Sequence, residues 1–406
     1  MQSLLIIGYV WPEPTATAAG SRMLQIIEQF QNLQFQVTFV SPAIKPETAF
    51  DLSTINVLEK SIELNHDSFD AFLLSLSPEI VLFDRFLMEE QFGWRVAQHC
   101  PQSLRMLDSE DLHFLRKARE LSVKKGKELP TGIITTDEAK RELASIYRCD
   151  VTLTISEYEM DYLKKVYQIP EMLLWYLPFL VTIDENLTPS FEEREDFVFI
   201  GNFVHAPNWD AVLYLKQTIW PMIRKELPKA SLHIYGSYPS QKVFQLQNVN
   251  ERFLIQGRAE NVNATMQQAK VCLAPVRFGA GLKGKLIDAM QNETPFVTTP
   301  IGGEGMFGDH DFSACVGNTD QELVQKAVSL YKNKEEWIFF QKKGKQVLKE
   351  RFDKELFSKN FGLKVDQLLE YKDVAREQNF IGAMLQHHTL KSTMYLSKWI
   401  AEKNKI

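Results

Sequence analysis

Short, wholly apolar runs alternate with amphipathic stretches along most of the chain. Leu4-Leu5-Ile6-Ile7 reads as a buried parallel strand. A Pro- and Gly-rich loop from Gly8 to Gly20 follows, then an amphipathic helix at about Ser21–Leu33 and a strand at Gln36–Val40. Strand, crossover helix and second strand make a βαβ unit. Further strands are expected at Ile80–Phe83, Leu104–Leu107 and Val151–Ile155, with helices at about Glu89–His99 and Ser156–Tyr167. Glu185–Asp196 is polar, carries Pro189 and lacks an apolar period, so it reads as a linker. A second α/β unit opens at Phe197–Ile200, with a helix near Asp210–Glu226 and strands at Leu232–Tyr235, Phe253–Gln256, Val271–Pro275 and Phe296–Thr298. Helical periodicity resumes over Gln321–Tyr331 and Glu335–Glu370. The pattern predicts an α/β protein of two doubly wound, Rossmann-like domains facing a cleft. Its expected parts are residues 1–184, a linker over 185–196, residues 197–350, and C-terminal helices over 351–406 that pack back toward the first domain.

Length agrees with two domains, since 406 residues exceed what one core usually supports. A net charge of −6 argues against a nucleic-acid partner, which needs a basic footprint. Cys100, Cys149, Cys272 and Cys315 lie far apart without metal-ligand spacing, as buried thiols in a reducing compartment would. The N-terminal apolar run is too short for a signal segment, and no run of about 18 apolar residues occurs. A cytoplasmic protein is expected.

The chemistry concentrates in the stretch from Ala274 to Met290. A buried strand leads into a loop with Gly279, Gly281 and Gly284, interleaved with Lys283 and Lys285, and then into a helix carrying Asp288. Glycines admit a ligand close to the backbone, and free amides at a helix start attract anions. Asp288 lies three residues after Lys285, so both can share one helical face. A diphosphate at the helix start and a ribose on the carboxylate suit this set, which points to a nucleotide sugar. The plainer readings are a solvated lysine loop and an acid placed to stabilise the helix dipole. The first loop does not match GxGxxG, which counts against a dehydrogenase.

Other candidates sit at expected strand ends, where doubly wound folds bind ligands. They are Arg277, the Asp84-Arg85 pair, and Glu304 within Gly302-Gly303-Glu304-Gly305-Met306, otherwise a simple turn. In Asp108-Ser109-Glu110-Asp111-Leu112-His113-Phe114-Leu115-Arg116, Asp108 or Ser109 is expected to cap a helix that puts His113 and Arg116 on the cleft wall. Gly20 is either an ordinary helix-start glycine or a point of close approach to the ligand. The basic stretch Arg116–Lys127 is a solvated face or a contact with anionic lipid. The tail from Asp373, with His387, His388, Lys391, Lys398, Lys403 and Lys405, is expected to dock on the first domain or on a partner.

Taken in order, several pieces resemble GT-B-fold glycosyltransferases, close to family 4, the "group 1" transferases. They are Phe199–Phe203 with Pro207–Ala211, Ile234–Ser237, Gln256–Arg258, the Gly/Lys loop through Asp288, and Thr294–Thr299 leading to Gly302–Met306. The resemblance is strongest over about Phe197–Met306 and weaker over residues 1–370. It implies a retaining, metal-independent hexosyltransferase that moves a sugar from a nucleotide diphosphate to a hydroxyl of a glycan, lipid-linked or protein acceptor. Donor binding then belongs to the second half and acceptor binding to the first, with no cofactor beyond the nucleotide-sugar substrate. His113, Lys285 and Arg277 become the catalytic candidates. Gly201, Asn202, Lys283, Gly284, Asp288, Glu304, Gly20 and Arg258 become the donor contacts. Ala280 stands where the family commonly has an acid eight residues before Asp288. Asn202, His205 and Asn208 stand where Arg and Lys are often found. Phosphate charge then falls to Lys283, Lys285, Arg277 or Arg258. A decayed scaffold subunit and a nucleotide-sugar epimerase are the rival readings.

Overall fold

The computed structural model describes residues 2–183 and 188–404; residues 185–187 of the expected linker, Lys405 and the side chain of His388 lie outside the described residues. Seven strands form the first sheet: β1 Ser3–Ile7, β2 Gln36–Ser41, β3 Leu58–Ser61, β4 Ile80–Asp84, β5 Leu104–Asp108, β6 Val151–Thr154 and β7 Leu174–Tyr176. Their order is β3-β2-β1-β4-β5-β6-β7, with all neighbours parallel. The second sheet has β8 Glu195–Ile200, β9 Leu232–Tyr235, β10 Phe253–Gly257, β11 Ala269–Ala274 and β12 Phe296–Thr298, in the parallel order β10-β9-β8-β11-β12.

Both sheets are covered on each face, which is why their strands read as continuous apolar runs. In β1, Leu4 and Ile6 join one core while Leu5 and Ile7 join another on the opposite face. A single core runs through the second domain. Each sheet also reverses its winding once. The switch lies between β1 and β4 in the first and between β8 and β11 in the second. Crevices at such switch points are where ligands bind in open α/β sheets.

Several elements depart from the sequence expectation. The first helix spans Ala18–Asn32, so Gly20 lies inside its first turn, and Thr17 caps it through the Gly20 N–H. The helix after β8 begins at Ala206, earlier than expected. Strand β3 escaped notice because its Leu-Glu-Lys-Ser sequence forms a mostly exposed sheet edge. The helix Asp137–Arg148 escaped because its buried face includes Glu142, Ser145 and Arg148, which hides an apolar period.

The helical run expected over Glu335–Glu370 is two helices, Lys334–Arg351 and Lys354–Gln378. It breaks where the chain crosses back to the first domain. There the Val181 N–H donates to the Phe352 carbonyl (2.7 Å) and the Lys354 N–H donates to the Val181 carbonyl (2.9 Å). Phe361 then buries its ring edge-on against Phe30, 5.1 Å away, and beside Trp175 at 5.0 Å. Arg376 donates to both oxygens of buried Asp150 at 2.7 Å. The final helix, Phe380–Lys403, lies across Asp137–Arg148. The second sheet is thus flanked in sequence by two segments that return to the first.

Phe361 is 2% exposed. Phe361→Ala should lower unfolding free energy by about 3 kcal/mol, because it removes a buried ring and leaves a cavity. Urea unfolding checks this; a stability equal to wild type would show that the returning helix contributes nothing to the first domain.

Candidate functional site

The two switch points face each other across one crevice. A Cβ placed on Gly284, at the start of the helix Gly284–Gln291, would stand 2.7 Å from the Ala18 Cβ at the start of the first helix. One loop further along, a Cβ on Gly281 would meet the Asp111 Cβ at 2.9 Å and the Glu110 carbonyl at 3.2 Å. Gly281 has φ +63, a left-handed conformation that suits glycine. Its N–H donates to Glu159 of the first domain at 2.8 Å. The Gly/Lys loop therefore lies in the interdomain crevice, pressed against the opposite domain.

No side chain caps the helix Gly284–Gln291, since Lys283 holds the cap position without a side-chain bond. The Leu286 N–H donates to the Lys283 carbonyl at 2.8 Å, while the N–H groups of Gly284 and Lys285 have no hydrogen-bond acceptor among the described residues, and such free amides attract anions. Lys285 donates to the Asn208 carboxamide oxygen at 2.7 Å and lies 5.4 Å from the Phe199 ring centre. Burial lowers its pKa to about 8. Asp288, one turn on, is raised to about 7 by burial, with Lys285 opposing the rise. Asn208 also donates to the Asn202 carbonyl at 3.0 Å, and a Cβ on Gly201 would strike its side chain at 2.7 Å. Gly201, Asn202, Gly284, Lys285 and Asp288 are thereby brought together at the β8/β11 switch point.

Four other candidates are already engaged with protein groups. Lys283 is buried, donating to the carbonyls of Gly281 (2.6 Å) and Ala280 (3.3 Å), so it braces its own loop. Arg277 forms a two-point pair with Asp210, at 2.9 and 2.6 Å, over the ring of Tyr214. Arg258 is exposed at the rim and donates to the Thr15 hydroxyl across the crevice. Gly20 leaves room for the backbone of Glu13, which a Cβ would meet at 2.5 Å. Its small size seats the first loop on its own helix.

Glu304 holds Arg119 of the opposite domain through two bonds of 2.8 Å. Arg119 donates in addition to the Gly279 carbonyl at 2.9 Å and the Tyr158 hydroxyl at 3.2 Å. One guanidinium thus ties together the loops after β11 and β12. Beside it, a cavity of about 480 Å³ opens between the helix Glu157–Val166 and the segment from Gly303 to His310, with Tyr158, Tyr162, Phe307 and Arg351 in its wall.

On the first domain's side, Asp108 does not cap the helix that starts at His113. Arg22 claims its fully buried carboxylate at 2.9 and 3.1 Å. Two carboxylates from other helices meet the helix start instead. Glu142 accepts from the N–H groups of His113 (3.1 Å) and Phe114 (2.9 Å), and Glu159 accepts from Leu112 (2.9 Å). His113 lies edge-on to Phe86 at 5.5 Å and 3.4 Å from Asp111, and burial lowers its pKa to about 4, so it is neutral near pH 7. Arg116 closes on both oxygens of Asp111. His205, from the second domain, is open to the crevice yet held well below its ordinary pKa by the crevice walls and then by Arg116.

Backbone strain marks the same edge. Arg85 has φ +71 and Glu110 has φ +60, each just beyond a strand end, a conformation costly for such residues. Arg85 lies over Tyr9 at 5.0 Å and 3.6 Å from Asp84. Asp84 accepts from the Tyr9 N–H at 3.0 Å, while its other, buried oxygen has no hydrogen-bond partner among the described residues. Burial and then Asp108 push the Glu110 carboxyl well up. Glu142, Glu159 and Tyr9 were not singled out as site residues from sequence, and Glu110 and His205 were named within their segments without a site role. Only the fold assembles them.

A carboxyl raised from 3.8 to about 7 favours the native state most when protonated. Its stabilising contribution is full below 3.8 and is lost as pH rises through about 7. Relative to Asp288→Asn, the wild-type melting midpoint should therefore fall as pH is raised across that window. Parallel midpoint curves for the two proteins would mean that this carboxylate is solvated.

Residues 194–333 match the profile of the family described as glycosyl transferases group 1. A Klebsiella pneumoniae relative, described as an uncharacterized 44.6 kDa protein in the cps region, is 27% identical over 143 residues. That match takes in 34% of this chain and 37% of the relative. Sucrose-phosphate synthase from Thermosynechococcus elongatus has a similar structure, with a TM-score of 0.69 at 14% identity over 91% of this chain and 100% of that one. Anabaena HepE, solved with UDP and glucose, gives 0.66 at 10% identity over 90% and 100%. The pneumococcal O-GlcNAc transferase GtfA, solved with UDP and GlcNAc, gives 0.65 at 11% over 91% and 99%. The chain has the GT-B fold, two Rossmann-like parallel sheets facing a crevice, and its second domain matches the group 1 glycosyltransferase profile.

Proposed function

We propose that this protein is a glycosyltransferase using a nucleotide-diphosphate sugar as donor and an acceptor hydroxyl, with retention at the anomeric carbon and no divalent metal. The bond between anomeric carbon and diphosphate oxygen breaks, and the acceptor oxygen forms the new bond. The acceptor proton and the nucleoside diphosphate leave. The observation that carries this reading is the uncapped helix start at Gly284 in the crevice, with Lys285 and Asp288 on its first turns. The amides and Lys285 would meet the diphosphate, and Asp288 the ribose. Fixed positive charge aimed at the departing oxygen is a large stabilising effect in a low-dielectric crevice.

The sugar end then lies toward Glu304, Arg119 and the neutral imidazole of His113. A neutral ring suits contact with an uncharged sugar hydroxyl, since it can donate or accept without bringing a charge. The cavity bounded by Tyr158, Tyr162 and Phe307 provides room for an acceptor next to that end. Retention and metal independence are proposed on the family resemblance alone. Solved relatives bound to UDP support the class of donor.

Lys285→Ala should cut donor turnover roughly a hundredfold. It should also abolish the rise in melting midpoint that UDP- or GDP-linked donors give the wild type. Wild-type donor affinity should weaken as pH rises through about 8, where Lys285 loses its proton. Turnover by Lys285→Ala equal to wild type would place the diphosphate elsewhere. A second measurement follows the product by NMR with and without EDTA. The donor's anomeric configuration should be kept and the rate unchanged; inversion or loss of rate would overturn that part.

A further inference from the structure

The last helix, Phe380–Lys403, is built inside out. Among the described side chains its two buried residues, Gly382 and Ser397, are small, with Leu385, Met394 and Ile400 half-buried. A Cβ on Gly382 would stand 2.1 Å from the Tyr147 carbonyl. Gln386 donates to the Arg148 carbonyl at 2.8 Å. Ser397, 4% exposed, accepts from Arg95 at 3.2 Å and donates to Asn65 at 3.0 Å. The large apolar residues point away: Phe380, Ile381, Met384, Tyr395, Leu396 and Trp399 are between 45% and 76% exposed. With about 3.6 residues per turn, Phe380, Met384, Tyr395 and Trp399 fall along one outward stripe. Lys391 and Lys398 are exposed on the same stripe, and Lys403 reaches back over the Trp399 ring at 5.4 Å.

A helix docked only for the stability of its own chain would bury its aromatic residues and expose its serines. Here hydrogen bonds from Gln386 and Ser397 help to fix the helix's rotation, and that rotation presents its aromatic residues to the outside. We propose that this face rests on an anionic lipid surface. Trp, Tyr and Phe combine an apolar body with, in the first two, a polar tip, which suits the boundary between headgroups and acyl chains. Interleaved lysines meet the lipid phosphates. Charge decides between this occupant and a second copy of the chain. The helix carries three lysines against Glu402 alone, so pairing two such faces would set like charges together. The contact runs along the surface, since no described helix is long and apolar enough to cross a membrane. The proposal does not depend on the sugar-transfer reading.

Co-sedimentation of the full chain with vesicles of phosphatidylcholine, alone or mixed with phosphatidylglycerol, tests it. Binding should appear on the mixed vesicles and weaken with added salt. The pair Lys391→Glu/Lys398→Glu and the pair Phe380→Ser/Trp399→Ser should each weaken it about tenfold or more while leaving the melting midpoint near wild type. The proposal is overturned if neutral and mixed vesicles bind equally, if neither binds, or if the lysine reversals have no effect. It is also overturned if the wild type forms a dimer that Phe380→Ser/Trp399→Ser dissolves, because the face would then belong to a second copy.

Discussion

Arg119 is the contact on which the geometry of the crevice rests. It comes from a helix of the first domain and is nearly fully buried, yet every group it meets through a short bond is polar. Two of them, Glu304 and the Gly279 carbonyl, belong to different loops of the second sheet. An unmatched guanidinium at such a depth would be costly, and the two loops supply oxygens to both of its terminal nitrogens, Nε alone being left without a partner among the described residues. Glu159 does the converse job, offering a carboxylate from the first domain to the Gly281 N–H. The domains are joined across the crevice by groups that would lose these partners if they parted.

That closure sets the electrostatics. Lys285 and Asp288 lie one turn apart on a surface helix, where they would ordinarily form an unremarkable charge pair. Burial draws their pKa values toward each other, to about 8 and about 7, so both titrate close to neutral pH. The strained backbone at Arg85 and Glu110 lies on the facing edge, with the Asp84 oxygen that Arg85 approaches to 3.6 Å beside it. Strain, buried charge and an uncapped helix start converge on one crevice, whereas the buried strand positions are mostly apolar, with Thr38, Arg105, Thr152 and Thr154 among the exceptions. Perturbed groups gathered in this way mark a functional site.

The chain's return at Phe352 adds a second constraint. Because the helix Lys354–Gln378 packs on the first domain through Phe361 and Arg376, the second domain is anchored at both of its ends. The final helix then adds little apolar burial of its own, and its rotation is set by polar contacts. Stability and surface chemistry are therefore assigned to different helices of the same tail.

The amino-acid sequence by itself determined the two wound sheets, because strands buried on both faces must be apolar runs and their crossover helices must be amphipathic. It also supplied the grounds for proposing an anion at the Gly/Lys loop, since glycine spacing before a helix is local chemistry. It did not reveal β3, whose exposed edge needs no apolar run, or the helix Asp137–Arg148, whose inward face is polar. Only the tertiary structure decided which lysine faces the crevice, turning Lys285 inward to Asn208 and folding Lys283 back on its own carbonyls. It likewise committed Arg277 to Asp210 and Glu304 to Arg119, and brought Glu159 and Tyr9, which no motif names, to the same crevice as His205. The reason is one of range: backbone patterns record neighbours a few residues apart, whereas the partner of a buried charge is chosen by whichever group the fold brings within bonding distance.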